Sequence, residues 1–260
     1  MIWIAEGAAA VFFWFFGASI FSFLNVVIYR VPRQESFVKG TSYCPGCGHR
    51  MSGLDMVPVF SWLFLRSRCR YCGGKIPARD TWVELFGGGM ALLCGHKIGY
   101  NLAALTVFAF LCMLTVVALV DIDTMEIPNG FVLIILLIGL VSIWTMPGIS
   151  LTERLMGVVS VSVPLFLITI VVPGAFGGGD IRLMGACGLL LGWKLSLISL
   201  FLAVLTGGLY GIYLLATRKK GRKEHFAFGP FLCLGMLTAL FWGRDLLSWY
   251  LGLCGFVIVP

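Results

Sequence analysis

Two aspartates and four cysteines are the residues of this chain whose types and spacing can do chemistry. The stretch A-L-V-D-I-D-T-M-E-I-P-N-G sets Asp121 and Asp123 directly after an apolar run, and Pro128 opens the next one. The stretch P-G-A-F-G-G-G-D-I-R-L-M sets Asp180 after three glycines, at the entry to another apolar run. An ionisable side chain in or beside a membrane span is costly and marks function by default. Two carboxyl groups that share a proton and a water are the working parts of an aspartic protease: one takes a proton from the water while the other donates to the scissile carbonyl. The three glycines remove side-chain bulk, so an extended substrate backbone can come close to Asp180. Asp121 and Asp180 are therefore the candidate catalytic pair. The plainer reading of an acid at a helix end is a cap or a solvated loop residue, and it suits Asp123 and Glu126 better. No Ser/His or Cys/His set competes, because His49, His96 and His225 fall in loops with no nucleophile beside them.

The cysteines are of two kinds. Cys94, Cys112, Cys187, Cys233 and Cys254 stand singly in apolar runs, where cysteine acts as a small buried hydrophobe. Cys44 and Cys47 form C-P-G-C, Cys69 and Cys72 form C-R-Y-C, and 21 residues separate the pairs. Two such knuckles supply four thiolates in the tetrahedral set that Zn2+ prefers. Gly46, Gly48, Gly73 and Gly74 let the chain turn tightly around a metal. The alternatives are two disulfides or four free thiols. A reducing cytoplasm disfavours the disulfides, and a short polar segment without a core of its own gains most from a metal. His49 adjoins the first knuckle, but four cysteines already complete a shell, so it reads as a surface residue.

The elements that must position these groups follow from composition. Of 260 residues, 59% are hydrophobic and 12% charged, with a mean hydropathy of +0.98. So few charges cannot cover a globular surface, since soluble domains carry roughly a quarter. About 20 apolar residues cross a bilayer core as a helix. Eight segments qualify, over 8–29, 82–98, 102–120, 129–147, 155–173, 181–194, 196–216 and 228–246, with the least marked division at Trp193–Lys194. The first has Glu6 and no basic stretch before it, so it reads as a retained helix rather than a signal peptide. The expected fold is thus an all-α polytopic membrane protein of about eight transmembrane helices with one cytoplasmic zinc-binding loop. Its expected parts are a first helix over 1–30, a tetracysteine segment over 31–80 and a membrane core over 81–260.

Lys and Arg orient it. With the N-terminus outside, the inner segments 30–80, 121–128, 174–182 and 217–227 hold 15 of the 19 basic residues. Lys97, Arg154, Lys194 and Arg244 are the other four. Positive segments stay inside, which sets both acids on the cytoplasmic face and predicts contact with anionic lipid there. The formal charge of +7 is thus a matter of topology. It does not imply nucleic-acid binding, because no soluble basic domain is large enough to carry that. On this reading Asp121 lies just past the C-terminal end of one helix and Asp180 at the N-terminal end of another. Opposite ends of the helix dipole then separate the pair, with Asp121 holding the shared proton and Asp180 acting as base.

At these residues the chain resembles the type IV prepilin leader peptidases, a family of GxGD membrane aspartyl proteases. S-F-L-N-V-V-I-Y-R-V-P at 22–32 is similar to the family's first-helix signature. The two cysteine pairs, V-P-V-F-S-W-L-F-L-R-S-R-C-R at 57–70 and V-E-L at 83–85 resemble its cytoplasmic zinc segment. D-I-D-T-M-E-I-P-N at 121–129 and G-G-G-D at 177–180 resemble its two catalytic motifs, and F-G-P-F at 228–231 the motif of its last helix. Three positions depart from the pattern: Phe21 stands where Gly is expected, Arg182 where Lys is usual, and Ala227 where Pro is expected. The resemblance implies cleavage of the basic leader of prepilins or pseudopilins of a type IV pilus or type II secretion system, in a bacterial inner membrane. It also implies S-adenosylmethionine-dependent N-methylation of the new terminus, for which the residues themselves announce no site. A peptidase without methylation is the alternative within enzymes. A cation transporter with a regulatory zinc loop is the alternative outside them, and it would require polar residues along several spans, where beyond Asn25 and scattered Ser and Thr there are few.

Overall fold

A computed structural model describes residues 2–36, 42–44, 46–217 and 226–253. The basic residues Arg218, Lys219, Lys220, Arg222 and Lys223, together with Lys39, His225 and Cys254, lie outside them. Among the described residues the architecture is all-helical: α1 (Ile2–Arg30), α2 (Phe60–Phe64), α3 (Arg79–Ile98), α4 (Leu102–Thr124), α5 (Asn129–Thr145), α6 (Leu151–Val171), α7 (Gly178–Ala216) and α8 (Gly229–Leu253). Extended pairing is limited to two isolated bridges, Tyr43 with Arg50 and Arg68 with Lys75. The chain forms two compact units, Met1–Phe108 and Ala109–Pro260.

In the first unit α1 packs along α3. Phe21 is wholly buried, and its ring presses on the backbone of Gly87, where any side chain would collide with it. The large residue at 21 is thus matched by a missing one opposite. Trp14 covers Gly88 in the same way. The segment before α3 is tied to it where the Val59 N–H donates to Glu84 Oε2 at 2.7 Å, with Val59 held at φ 64.

In the second unit α6 lies against the first half of α7 so closely that Gly157 and Gly188 meet backbone to backbone. The residues α6 buries are Arg154, Gly157, Val161 and Leu165, three to four apart on one face. Val159, Val163, Phe166 and Ile170 stand exposed around the rest, as a lipid-facing helix requires.

By length and hydropathy, five of the described helices can cross a membrane: α1, α4, α6, α7 and α8. The chain is a multi-pass membrane protein. Five is fewer than the eight expected spans. Part of the difference lies in α3, which contains the expected span 82–98 but carries Asp80, Glu84 and Lys97 and is not one of the five, and part in α5, apolar but only 17 residues long. Part lies in α7, whose 39 residues merge the expected sixth and seventh segments.

That merged helix does not run straight. At 1.5 Å per residue, Phe176 and Gly207 would stand about 46 Å apart along one axis. Instead the Phe176 and Phe228 rings are 5.7 Å apart, and a Cβ on Gly207 would lie 3.0 Å from the Phe228 ring. The chain therefore doubles back, and it does so at Gly192, whose φ of 70 and ψ of 171 belong to a region that only glycine occupies readily. The division read at Trp193–Lys194 thus falls one residue earlier, as a turn without a loop. The returning limb pairs with α8: a Cβ on Gly235 would strike the Ser199 carbonyl, and one on Gly243 would approach Leu195 to 2.9 Å.

Beside this turn, Arg154 is fully buried. Its guanidinium donates to Ser142 Oγ at 2.6 Å and to the carbonyls of Ser142, Met146, Leu189 and Ile149 at 3.0, 2.7, 2.9 and 3.2 Å. Burying a charge is affordable only when its donors are satisfied. Here they are satisfied by the Ser142 hydroxyl, by carbonyls at the end of α5 and in the loop after it, and by the limb that approaches Gly192. In the sequence Arg154 stood out only as a basic residue away from the positive segments.

Candidate active site and metal centre

Asp121 occupies the last turn of α4. The helix ends because Met125 adopts the left-handed conformation (φ 57), with its N–H on the Asp121 carbonyl at 2.8 Å. The Thr124 hydroxyl donates to the Val120 carbonyl at 2.8 Å and accepts the Glu126 N–H at 3.3 Å, so the turn is braced from both sides. The Asp121 side chain is buried, whereas Asp123 and Glu126 are exposed.

Asp180 is the third residue of α7, and it is also buried. Its Oδ2 accepts the N–H of Gly177, the N-cap residue, at 3.3 Å. The preceding glycines play three separate parts. A Cβ on Gly177 would lie 3.2 Å from the Asp180 carboxylate, and one on Gly179 would lie 3.0 Å from Ile127 in the loop after Asp121. A Cβ on Gly178 would meet only the tip of Arg182, at 3.9 Å, so this is the position that faces open space.

Three contacts bring the two motifs together. Gly179 packs on Ile127. The Arg182 guanidinium donates to Asn129 Oδ1, at the start of α5, and to the Gly178 carbonyl at 2.9 Å. The two carboxyl groups lie within electrostatic reach of each other, and both lie within reach of Cys233. Negative charges so placed repel each other, so the two groups are coupled.

Sequence reasoning missed Gly229. This first residue of α8 donates its N–H to Asp121 Oδ2 at 2.9 Å, and a Cβ on it would lie 2.6 Å from that oxygen. Asp121 therefore meets a helix N-terminus as well, although it ends its own helix. The expected dipole asymmetry between the two acids does not survive, because each carboxylate is faced by an N–H of the same favourable kind. The F-G-P-F run carried the signal, but only the fold brings it 108 residues back along the chain.

The second cluster lies in the first unit. Ligand atoms of Cys44, Cys47, Cys69 and Cys72 all fall within 4.8 Å of one another, and the set can hold a metal ion. The Cys44 and Cys72 sulfurs are 3.8 Å apart. A tetrahedron with metal–sulfur bonds of 2.3 Å has edges of about 3.8 Å. The two knuckles fold alike: Cys44 N–H donates to the His49 carbonyl and Cys69 N–H to the Gly74 carbonyl, each at 2.8–2.9 Å. Gly48 and Gly73 turn the chain at φ 70 and 69. Backbone N–H groups of Cys47 and Gly46 bring the Cys44 thiol down to about 7. The His49 N–H favours a Cys47 thiolate too, but desolvation and the Cys72 and Cys44 sulfurs outweigh it and push that thiol up to about 11. One thiolate thus forms readily and the next resists, which is the repulsion a bound cation relieves. His49 stacks on Tyr71 with ring centroids 3.6 Å apart, so it joins the knuckles rather than facing a metal. Arg70 pairs with Asp55 at 2.9 Å and anchors the second knuckle; Asp55 lies below the usual carboxylate range because the Ser52 hydroxyl donates to it. Of the single cysteines, Cys94, Cys112, Cys187 and Cys233 are buried as expected.

Residues 15–98 match the family model described as the bacterial peptidase A24 N-terminal domain, and residues 108–212 match that of the type IV leader peptidase family. The first range holds all four clustered cysteines and the second holds both Asp121 and Asp180. This chain belongs to the type IV leader peptidase family. A Bacillus subtilis (strain 168) relative, named prepilin leader peptidase/N-methyltransferase, is 28% identical over 91% of this chain and 95% of its own. Relatives of the same name from Aeromonas hydrophila and Myxococcus xanthus (strain DK1622) are 29% and 33% identical. The former covers 91% of each chain; the latter covers 82% of this chain and 65% of its own. No solved structure matches the chain. Within the family match, the departure at Arg182 keeps a cation that can reach both the Gly178 carbonyl and Asn129, so the role of linking the two motifs is retained. Gly229 lies beyond the residues matched to the peptidase model.

Proposed function

We propose that this chain is a membrane aspartic endopeptidase that removes the leader peptide from prepilins or pseudopilins, with Asp121 and Asp180 as its catalytic residues. The observation that carries this reading is the burial of two carboxyl groups from distant motifs within electrostatic reach of each other, each accepting one backbone N–H. The N–H groups of Gly229 and Gly177 hold the acids in place. The carboxyl that keeps the shared proton donates it to the scissile carbonyl oxygen while the other takes a proton from the attacking water. The open side of Gly178 is where an extended substrate strand passes, and Arg182 with Asn129 keeps the two motifs in register.

The names of the relatives add N-methylation of the newly exposed terminus, for which S-adenosylmethionine supplies the methyl group. The four cysteines hold a structural Zn2+ in this reading, supported by the 3.8 Å sulfur separation and the paired knuckles. The clustering of basic residues supports the acids and the metal loop lying on the cytoplasmic side of a bacterial inner membrane, with the N-terminus periplasmic. The full-length protein in detergent, given a prepilin and labelled S-adenosylmethionine, tests both activities at once. A mobility shift of the substrate and label in the mature product are expected. Label without a shift would remove the peptidase reading; a shift without label would confine the enzyme to cleavage.

A further inference from the structure

In the second unit, at the end away from the aspartates, the loop before α6, the turn at Gly192 and the later part of α8 line an open cavity of about 670 Å3. Thirteen helical residues separate Asp180 from Trp193 and fifteen separate Gly229 from Arg244, a rise of about 20 to 22 Å in each case. The cavity is therefore near the opposite surface of a hydrocarbon core about 30 Å thick.

Its walls are unusual for a chain with so few charges. Glu153 and Lys194 form an ion pair at 3.8 Å, and Arg244 and Asp245 line the same space. Arg244 also lies within electrostatic reach of Glu153. Trp193 forms part of the lining and sits where amphipathic rings collect, at the boundary of water and acyl chains. Four charges at an interface can simply be solvated. Here, however, they converge on one hollow of the size that holds small ligands, and their formal charges cancel two against two. The Lys194–Glu153 separation is longer than a tight charge-assisted hydrogen bond, so a ligand oxygen can compete for the ammonium group.

We propose that this cavity binds the headgroup of an ethanolamine phospholipid. Lys194 and Arg244 take the phosphate, and the carboxylates of Glu153 and Asp245 take the primary ammonium, which offers three hydrogen-bond donors. Trp193 lies against the glycerol and first acyl carbons. An anionic lipid without an amine leaves the carboxylates unmatched, and a choline headgroup offers them no N–H.

Native mass spectrometry of the full-length protein in detergent tests this, with phosphatidylethanolamine, phosphatidylglycerol, phosphatidylcholine and inorganic phosphate added in separate arms. Ethanolamine lipid should be retained several-fold more than either other lipid. The Lys194→Gln/Arg244→Gln double variant should lose roughly tenfold in that retention, as expected when charge-assisted contacts to phosphate are removed. Equal retention of the three lipids, or retention unchanged in the double variant, would overturn the proposal. So would displacement of the lipid by inorganic phosphate, which would make this a plain phosphate site. Should the double variant fail to fold, Asp245→Asn alone must narrow the preference for ethanolamine over glycerol headgroups, and an unchanged preference counts against the proposal.

Discussion

At the residue scale, the two aspartates and the glycine that faces one of them make distinguishable predictions. Asp121→Asn and Asp180→Asn should each lower leader cleavage by on the order of 10²–10⁴, the usual contribution of a positioned acid or base. Asp123→Asn should stay close to wild type, because that side chain is exposed where Asp121 is buried. A dead Asp123→Asn beside an active Asp121→Asn would shift the first motif by two positions. Gly229→Ala should resemble Asp121→Asn in cleavage without touching either acid, because its Cβ would lie 2.6 Å from Asp121 Oδ2 and must displace it. Gly178→Ala should instead raise KM with the protein's thermal stability unchanged, since its Cβ meets nothing closer than 3.9 Å. Equal losses at both glycines would mean that the space beside Asp180 is not a path for substrate.

At the scale of elements, the cysteine knuckles and the turn at Gly192 stand on different physics. The knuckles bring together four thiols that can hold a metal ion, and a metal bound there would add to their folding energy. Metal analysis of the purified protein should give one zinc per chain, and replacing Cys44 together with Cys69 by Ser should release it. Affinity should fall as pH is lowered, because a proton must then be displaced from each thiol before the metal can bind. Zinc content near zero with all four thiols open to alkylation would remove the metal. The turn depends instead on one backbone conformation. Gly192→Ala places a side chain at φ 70 and ψ 171 and sets its Cβ 3.4 Å from Ile149. It should destabilise the protein by about 1–3 kcal/mol, the usual cost of such strain. A lowered Tm in detergent is the readout, and an unchanged Tm would mean that the turn tolerates another conformation.

At the scale of the whole molecule, the doubling back of α7 determines where the chain ends. The limb after Gly192 returns towards Phe228 and Gly229, beside Asp121, and α8 then leads away again. A reporter fused after Lys75 should therefore give the cytoplasmic phenotype and one fused after Pro260 the periplasmic phenotype. Matching phenotypes would require α7 to cross the membrane once instead of twice.

The sequence by itself determined the class of the molecule and singled out the carboxyl groups and thiols that the fold gathers. Low charge, apolar runs and clustered basic residues report on a chain's solvent, which acts on every residue separately and so leaves its mark on composition. The acids and cysteines were legible for a related reason: carboxylates beside apolar runs and paired thiols are too costly to occur idly. Expectations failed where a property depends on two segments that are distant in the chain. Gly229 faces Asp121 across 108 residues, Phe21 is matched by Gly87, and Arg154 is satisfied by carbonyls from three stretches of chain. The division of α7 was legible at Trp193–Lys194, but that it is a turn on Gly192 without a loop needed the same information. Only packing shows that residues before and after it lie beside the same rings. Tertiary structure alone decided these points, since sterics and hydrogen bonds act between neighbours in space, and local sequence does not record who those neighbours are.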